Sequence, residues 1–145
     1  MTAQSITARA VNLLARREHS QAELRKKLRK AEFELDDIDA TIHKLAQADI
    51  QSDARFAENY LRYRSQRGYG SQKIRLELKE RGVDSQTINA AFEQADIDWF
   101  ELAVSARNKR FGQQAPDDLK DRAKQQRFLQ YRGFTHEQIS ESFNI

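Results

Sequence analysis

The hexapeptide IRLELK at residues 74–79 alternates apolar and polar side chains, which is the period of a half-buried β-strand. Elsewhere the apolar residues recur three and four positions apart, as in the run that contains Ile6, Ala10 and Leu13. That spacing is typical of one face of an α-helix. The two periods predict different folds, and internal repetition in the chain decides between them.

The hexapeptide lies in a region of the chain that is repeated. Just after it, RGVDSQTI at residues 81–88 resembles RGFTHEQI at residues 132–139. In the other direction, Leu24 and Leu28 align with the first and last apolar residues of IRLELK, 50 positions later. These shared positions are four apart and so lie on one face of a helix. The apolar residue between them, Leu76, aligns with a basic residue in both other copies, and we therefore predict a helix.

The chain divides into three degenerate repeats, each predicted to be a triplet of helices. The repeats cover residues 5–50, 52–97 and 98–145. A repeat of this size has a thin core, so neighbouring repeats are expected to stack on each other. The predicted fold class is all-α, with three tandem three-helix bundle repeats that form an elongated, curved array.

Capping signals mark the ends of several predicted helices. SQAE at residues 20–23 and THEQ at residues 135–138 have the form of a capping box, in which the first and fourth residues exchange hydrogen bonds. Gly82 and Gly133 suit left-handed C-terminal stops, and Pro116 suits the first turn of a helix.

The composition favours a helical protein with a large charged surface. Charged residues make up 32% of the chain, and a single proline with five glycines leaves too few turn residues for an all-β protein. The absence of cysteine excludes disulfides, thiolate metal sites and a cysteine nucleophile. No run resembles a signal peptide or a membrane span, so we expect a cytoplasmic protein without membrane contact.

Charge is sorted by helix. Residues 62–81 hold seven basic and two acidic side chains, whereas residues 82–98 and 133–145 hold no Lys or Arg. Basic segments also occupy residues 16–30 and 107–132 of the other two repeats. This recurrence favours a continuous positive track that attracts a nucleic acid or an acidic protein groove. The competing interpretation is three solvated helix surfaces whose late Lys and Arg residues suit the helix dipole.

Several aromatic residues stand out by their position. Tyr60 and Tyr63 lie on the apolar stripe of their predicted helix, which indicates core positions. Trp99 begins the third repeat and is predicted to pack as a wedge between repeats. Tyr69 lies between two glycines and has no stripe to join, so it is either an exposed contact or a turn anchor.

The sequence carries no pattern of a catalytic or cofactor site. The glycine turn around Tyr69 lacks the GxxxxGK[ST] pattern of phosphate-binding loops. His19, His43 and His136 have no metal-ligand spacing, so surface or capping roles are predicted for them. The carboxylates fall on helices predicted to be exposed, where general acid catalysis is not expected. We therefore predict a protein that is not an enzyme and has no metal site or cofactor.

Three segments resemble the signature segments of the RecX family, the bacterial regulators of the RecA recombinase. They are LLARREHSQAELRKKL at residues 13–28, SDARFAENYLRYRSQRGYGSQKIRLELKERGV at residues 52–83 and KQQRFLQYRGF at residues 124–134. The resemblance covers nearly the whole chain in the expected order and is most specific in the second segment. One departure is Ala31, which stands where the first repeat of the family often has a glycine.

The resemblance implies a non-catalytic modulator with a role in homologous recombination and DNA repair. RecX proteins are similar in being elongated arrays of three-helix repeats. They lie in the groove of the RecA filament on DNA and restrain its ATPase, strand exchange and growth. The implied partner is the RecA filament, contact with single- or double-stranded DNA is left open, and a monomer is expected.

The predicted contacts are electrostatic and lie mainly in the middle repeat. They form a cationic set with one tyrosine, namely Arg62, Arg64, Arg67, Tyr69, Lys73, Arg75, Lys79 and Arg81, supported by Arg25, Lys26 and Arg29. The alternative function is a stand-alone helical DNA-binding protein, because three-helix units superficially resemble helix-turn-helix modules. The basic helices lack the Asn/Gln-and-Arg pattern of a base-reading surface, which argues against that alternative.

Overall fold

The structure, a computed structural model, describes residues 5–144, and within that range the chain forms nine α-helices and no β-strand. The helices are α1 (Ile6–Arg16), α2 (Gln21–Lys30), α3 (Leu35–Gln47), α4 (Asp53–Gln66), α5 (Ser71–Glu80), α6 (Ser85–Ala95), α7 (Trp99–Phe111), α8 (Leu119–Arg132) and α9 (His136–Ser142). This confirms the predicted all-α class with tandem helical triplets. IRLELK lies inside α5, and Leu76 is 56% exposed. Ile145, the predicted end of the third repeat, lies outside the described residues.

The chain forms two compact units, each built from two separate stretches of sequence. The first compact unit contains the chain up to Asn59 together with Leu78–Ala91. The second contains Tyr60–Glu77 together with the chain from Phe92 onward. The helices α4, α5 and α6 therefore contribute to both compact units. The boundaries that the sequence indicates between the three repeats stay a prediction.

The first compact unit encloses an aliphatic core between α1, α2 and α3. Its buried members come from all three helices: Ala10, Leu24, Leu28, Ile38, Ile42 and Leu45. Leu24 and Leu28 are both fully buried because they lie one helical turn apart on the same face of α2. The repeated pair that identified the helix is thus also the pair that anchors it.

The second compact unit encloses a core between α7, α8 and α9. Its buried members are Ala103, Ala106, Leu129, Phe134, Ile139 and Phe143. The small residues of α7 lie opposite the larger side chains of α8 and α9, an arrangement that suits close helix packing. This core also holds a buried cation, since Arg107 is only 1% exposed although the sequence places it in a basic segment.

Side-chain caps begin and end the helices largely where the sequence indicates. Complete capping boxes form at residues 20–23 and 135–138. Gly82 and Gly133 adopt the left-handed conformation, with φ of 81° and 99°. The prediction for Pro116 is wrong, because α8 begins only at Leu119, behind an aspartate N-cap.

Each compact unit contains an equivalent joint between the second helices of two successive triplets. The start of α2 contacts the turn after α5 in the first unit, and the start of α5 contacts the turn after α8 in the second. In the first, the Ser20 hydroxyl donates to the Arg81 carbonyl at 2.7 Å. In the second, the Gly70 amide, 50 positions after Ser20, donates to the Arg132 carbonyl at 2.7 Å. In both joints a helix N-terminus meets a C-terminal turn, where the opposite ends of the two dipoles attract. The second joint fixes the residues around Gly70 against α8.

The aromatic residues only partly follow the sequence-based prediction. Tyr63 is 54% exposed, so its predicted core position is wrong, and Tyr60 is half-buried. Trp99 stacks on Phe92 with ring centroids 5.6 Å apart. Both rings belong to the second compact unit, where they join the end of α6 to the start of α7.

His19 is buried, so a surface role is wrong, whereas its contact with Arg17, the C-cap residue of α1, fits the predicted capping role. Its Nδ1 lies 2.9 Å from the Arg17 carbonyl, and its Nε2 lies 3.0 Å from Nζ of Lys27. Because a carbonyl and an ammonium group can only accept and only donate, respectively, Nδ1 carries the proton and Nε2 accepts. Burial lowers the pKa of His19 below 6.5, and the charges of Arg17 and Lys27 add to this against the opposing effects of the Arg17 carbonyl and Glu23. The folded protein therefore holds this ring in its neutral form near neutral pH.

Acidification is expected to destabilise the protein through His19. The folded state binds this proton more weakly than the unfolded chain does. The stabilisation is therefore fully present above pH 6.5 and is lost as the pH falls towards the lower folded-state pKa. Urea unfolding at about pH 7.5 and about pH 5.5 measures this loss. His19→Gln should show a smaller loss, whereas His136→Gln, at an exposed position, should match the wild type. Equal losses in all three proteins would contradict the role of His19.

Candidate interface for an anionic partner

Three cations surround Tyr69 in the turn between α4 and α5. The guanidinium of Arg64 lies 3.7 Å from the ring centroid, that of Arg132 lies 4.6 Å away, and the Lys73 ammonium lies 5.4 Å away. Cations are attracted to the negative face of an aromatic ring, so the tyrosine gathers positive charge from α4, α5 and α8. Tyr69 itself is half-buried and thus serves as an anchor for the turn. We call Arg64, Tyr69, Lys73 and Arg132 the tyrosine–cation cluster.

Arg64 is fixed in the cluster by a two-pronged ion pair with Glu77. Its Nε and Nη2 donate to the two carboxylate oxygens, each at 2.9 Å, and both side chains are less than one-fifth exposed, at 18% and 17%. Burial tends to lower the pKa of Arg64, but the hydrogen bonds and charge of Glu77 outweigh it and raise that pKa. The pair ties α4 to α5 and offsets one positive charge. The net positive charge of the cluster therefore comes from Lys73 and Arg132.

Two exposed tyrosines flank the cluster, each beneath a cation. Arg67 lies 4.7 Å from the ring centroid of Tyr63, and Lys73 lies 4.5 Å from that of Tyr131. Tyr131 is 78% exposed, even more than Tyr63. An exposed ring beside a cation can contact a nucleic acid through stacking and charge, or an acidic protein surface through charge and apolar area.

Four other cations of the middle repeat are predicted as contacts, and none of them lies against the ring of Tyr69. The Arg75 guanidinium lies 4.1 Å from the ring centroid of Phe92. Arg62 and Lys79 are exposed, and Arg81 is half-buried with its carbonyl engaged in the joint of the first compact unit. The structure thus brings together Arg64, Tyr69 and Lys73 from the predicted set and leaves these four outside the cluster.

The supporting residues of the first repeat are exposed on α2. Arg25 forms an ion pair with Asp39 at 2.6 Å, with side chains that are 54% and 46% exposed. A pair this exposed contributes little to stability. Lys26 and Arg29 are also exposed. These residues belong to the first compact unit and the cluster to the second, so the continuous positive track stays a prediction.

Sequence reasoning missed Arg132 and Tyr131 as members of this site. Arg132 occupies the repeat position of Arg81, which the predicted set includes. If the predicted contacts of the middle repeat are transferred to the aligned positions of the third repeat, Arg132 is among them. Tyr131 has no corresponding signal, because its contact with Lys73 depends on the joint between α5 and α8.

The site offers non-covalent recognition of negative charge. Within residues 5–144, no group of three His, Cys, Asp or Glu side chains is placed to hold a metal ion. The helices of that part of the chain are too short or too polar to cross a membrane.

Family models match all three helical triplets. The models for the first, second and third three-helix domains of RecX match residues 8–45, 52–91 and 96–142, respectively. The chain belongs to the RecX family. Membership confirms the resemblance found in the sequence and explains why the helical triplet recurs in each repeat.

Curated relatives of this RecX-family chain are named as regulatory proteins. A Regulatory protein RecX of Pectobacterium atrosepticum is 38% identical over 90% of this chain and 90% of its own length. One of Pseudomonas entomophila is 39% identical over 95% of this chain and 89% of its own length. The family is thus a family of regulatory proteins, which is consistent with the prediction that the chain is not an enzyme.

Solved structures of RecX proteins share the fold. The crystal structure of RecX from Lactobacillus salivarius superposes with a TM-score of 0.78 at 24% identity, covering 94% of this chain and 91% of that one. A crystal structure of regulatory protein RecX gives a TM-score of 0.81 at 22% identity, covering 95% of this chain and 70% of that one. At this identity the likeness supports the fold alone.

Proposed function

We propose that this protein regulates RecA, mainly as an inhibitor, by binding along the groove of the RecA–DNA filament. Membership of the RecX family of regulatory proteins carries the proposal. Once bound, the protein restrains the ATPase, strand exchange and filament growth of RecA. It acts in the cytoplasm as a monomer, and it needs no catalytic group of its own.

Several weak contacts on one chain account for binding to a filament in preference to a single RecA subunit. A filament presents the same surface at each subunit, and the chain repeats its basic segment in each triplet. After the first contact forms, the others are intramolecular and benefit from a high effective concentration.

The tyrosine–cation cluster is the proposed centre of contact. Within residues 5–144, Lys73 and Arg132 form no ion pair, so their charge is available to an acidic protein surface or to phosphates. Arg64 contributes by orienting Tyr69. The remaining proposed contacts are also cations, namely Arg62, Arg67, Arg75, Lys79, Arg81, Arg25, Lys26 and Arg29.

Charge reversal at Lys73 of the cluster and at Arg67, which flanks it, tests this proposal. The double variant Arg67→Glu with Lys73→Glu should weaken inhibition of the RecA ATPase on single-stranded DNA by about tenfold or more, because reversal replaces attraction with repulsion. Co-sedimentation with RecA–DNA filaments should weaken in parallel. Circular dichroism melting checks that the variant remains folded.

The matched control reverses two cations outside the three basic segments. Arg9→Glu with Lys44→Glu makes the same change in net charge at exposed positions of α1 and α3. This control should inhibit RecA as the wild type does. If the variant of Arg67 and Lys73 is as potent as the control, the cluster and its flank are not the contact surface.

Binding to naked DNA without RecA is the competing function. The exposed Tyr63 and Tyr131 beside cations are the observation in its favour. Affinity for single-stranded DNA measured against salt separates the two functions. A steep salt slope that is unchanged by RecA favours a stand-alone DNA-binding protein. Loss of RecA inhibition in a cluster variant that still binds DNA favours RecA regulation.

A further inference from the structure

A pocket in the second compact unit is lined by four cations and, among the described residues, by no carboxylate. Lys109 and Arg110 belong to α7, Arg132 ends α8, and Arg67 follows α4. Four like charges around one concave surface repel each other unless an anion lies among them. The pocket therefore has the charge of an anion-binding site.

Within residues 5–144, none of these four cations forms an ion pair. Arg132 donates instead to the Arg67 carbonyl at 3.0 Å and lies 4.9 Å from the ring centroid of Phe128. Arg110 lies 5.0 Å from the ring centroid of Phe111 and 5.9 Å from that of Phe128. A carbonyl and ring faces hold the guanidinium groups in place without cancelling their charge. The site is thus partly organised before any ligand binds.

The pocket also offers an apolar floor and a hydroxyl group. Leu102, Ala106 and Phe128 supply the apolar surface, and the exposed Ser105 adds a hydroxyl that can donate or accept. Two different kinds of surface, one cationic and one apolar, therefore meet in one pocket.

We propose that this pocket binds a nucleoside polyphosphate, with the phosphates among the cations and the base over the apolar floor. A polyphosphate chain supplies several adjacent negative charges, and guanidinium groups recognise phosphate oxygens with paired hydrogen bonds. A planar base covers apolar surface next to the ring of Phe128. Two simpler ligands fit the pocket less well. Inorganic phosphate would not cover the apolar surface, and an uncharged nucleoside would not offset the repulsion between the cations. This binding does not depend on the proposed regulation of RecA.

Isothermal titration calorimetry of the full chain with ATP in metal-free buffer tests the proposal. Saturable binding is expected below about 1 mM, and adenosine and tripolyphosphate should each bind about tenfold more weakly. Excess Mg²⁺ should weaken ATP binding, because it neutralises phosphate charge and no carboxylate lines the pocket to hold the metal. Lys109→Glu with Arg110→Glu should weaken ATP binding about tenfold or more, while Arg9→Glu with Lys44→Glu should not change it.

The same titrations can overturn the proposal. ATP binding that is absent up to about 1 mM, or unchanged in the Lys109 and Arg110 variant, would remove the pocket as a nucleotide site. Tripolyphosphate that binds as tightly as ATP would show a phosphate site without base recognition. A 5′-phosphorylated oligonucleotide that binds where ATP does not would assign the pocket to a strand end. Lys109 and Arg110 are not among the named RecA contacts and these titrations contain no RecA, so a failure of nucleotide binding leaves the proposed function unaffected.

Discussion

Gly70→Ala is expected to lower the free energy of unfolding by about 3 kcal/mol, at the upper end for an overpacked site. A Cβ at this position would overlap the carbonyl carbon of Gly133 and lie 2.5 Å from the Phe134 nitrogen. These are backbone atoms, which cannot swing aside as the end of a flexible side chain can. The joint must open, which breaks the hydrogen bond from the Gly70 amide to the Arg132 carbonyl.

Gly112 provides the matched control for this substitution. A Cβ there would meet nothing within 4 Å, although φ is 86°. Gly112→Ala should therefore cost only backbone strain, about 2 kcal/mol, because φ of 86° with ψ of 175° is a conformation that strongly favours glycine. Urea unfolding of the two variants measures the difference. If Gly70→Ala costs no more than Gly112→Ala, the joint has room that the structure does not show.

Opening this joint should also affect the candidate interface. Tyr69 and Lys73 lie on either side of Gly70, whereas Arg132 reaches the cluster from α8. The contact across the joint is what brings α8 to the tyrosine. Gly70→Ala should therefore weaken RecA inhibition even at temperatures where the variant remains folded, if the proposed function holds.

The sequence predicts the helices well because their signals are local. A capping box, a left-handed glycine and an apolar pair four positions apart each involve residues within one or two helical turns. The joints involve no such proximity, since Ser20 and Arg81 are 61 positions apart. The repeat implies that any joint in one copy recurs in the next, but it does not say which surfaces meet.

The left-handed turn of the first repeat lies one residue away from the position that the sequence indicates. The sequence comparison with the RecX family placed the departure from glycine at Ala31. In the structure the positive φ of 69° belongs to Glu32, which aligns with Gly82 at the offset of 50. The helix end requires a left-handed residue at that repeat position, so the chain adopts one there without a glycine.

Residue type also misleads where a polar side chain turns inward. The sequence suggests that Arg107 and His19 are surface residues. Charge and spacing alone do not show which carbonyl and amide groups lie within hydrogen-bonding distance of them in the fold. Tyr63 reads as core because its helical stripe is apolar, yet it is exposed. The partners of the two buried side chains include Gln125 of α8 for Arg107 and Lys27 of α2 for His19, and a one-dimensional pattern does not contain that information.

Arg107→Ala is expected to lower the free energy of unfolding by about 3 kcal/mol, through lost packing and unsatisfied acceptors together. Arg107 donates to the Gln125 side chain at 3.1 Å, to Asn108 at 3.0 Å and to the Gln114 carbonyl at 3.0 Å. Its guanidinium also lies 5.0 Å from the ring centroid of Phe143. Burial lowers the pKa of Arg107, but an arginine remains charged across the accessible pH range.

Two further variants separate packing from hydrogen bonding at this position. Arg107→Met keeps most of the volume but leaves the acceptors of Gln125 and Gln114 unsatisfied, so it should recover only part of the loss. Arg110→Ala, at an exposed position of the same helix, should change stability by about 0.5 kcal/mol or less. Urea unfolding compares the three. Full recovery by methionine would mean that Arg107 fills space and that its hydrogen bonds add little. A loss as large as that of alanine would assign the contribution of Arg107 to its hydrogen bonds with Gln125 and Gln114, which tie α7 to α8 and to the loop between them.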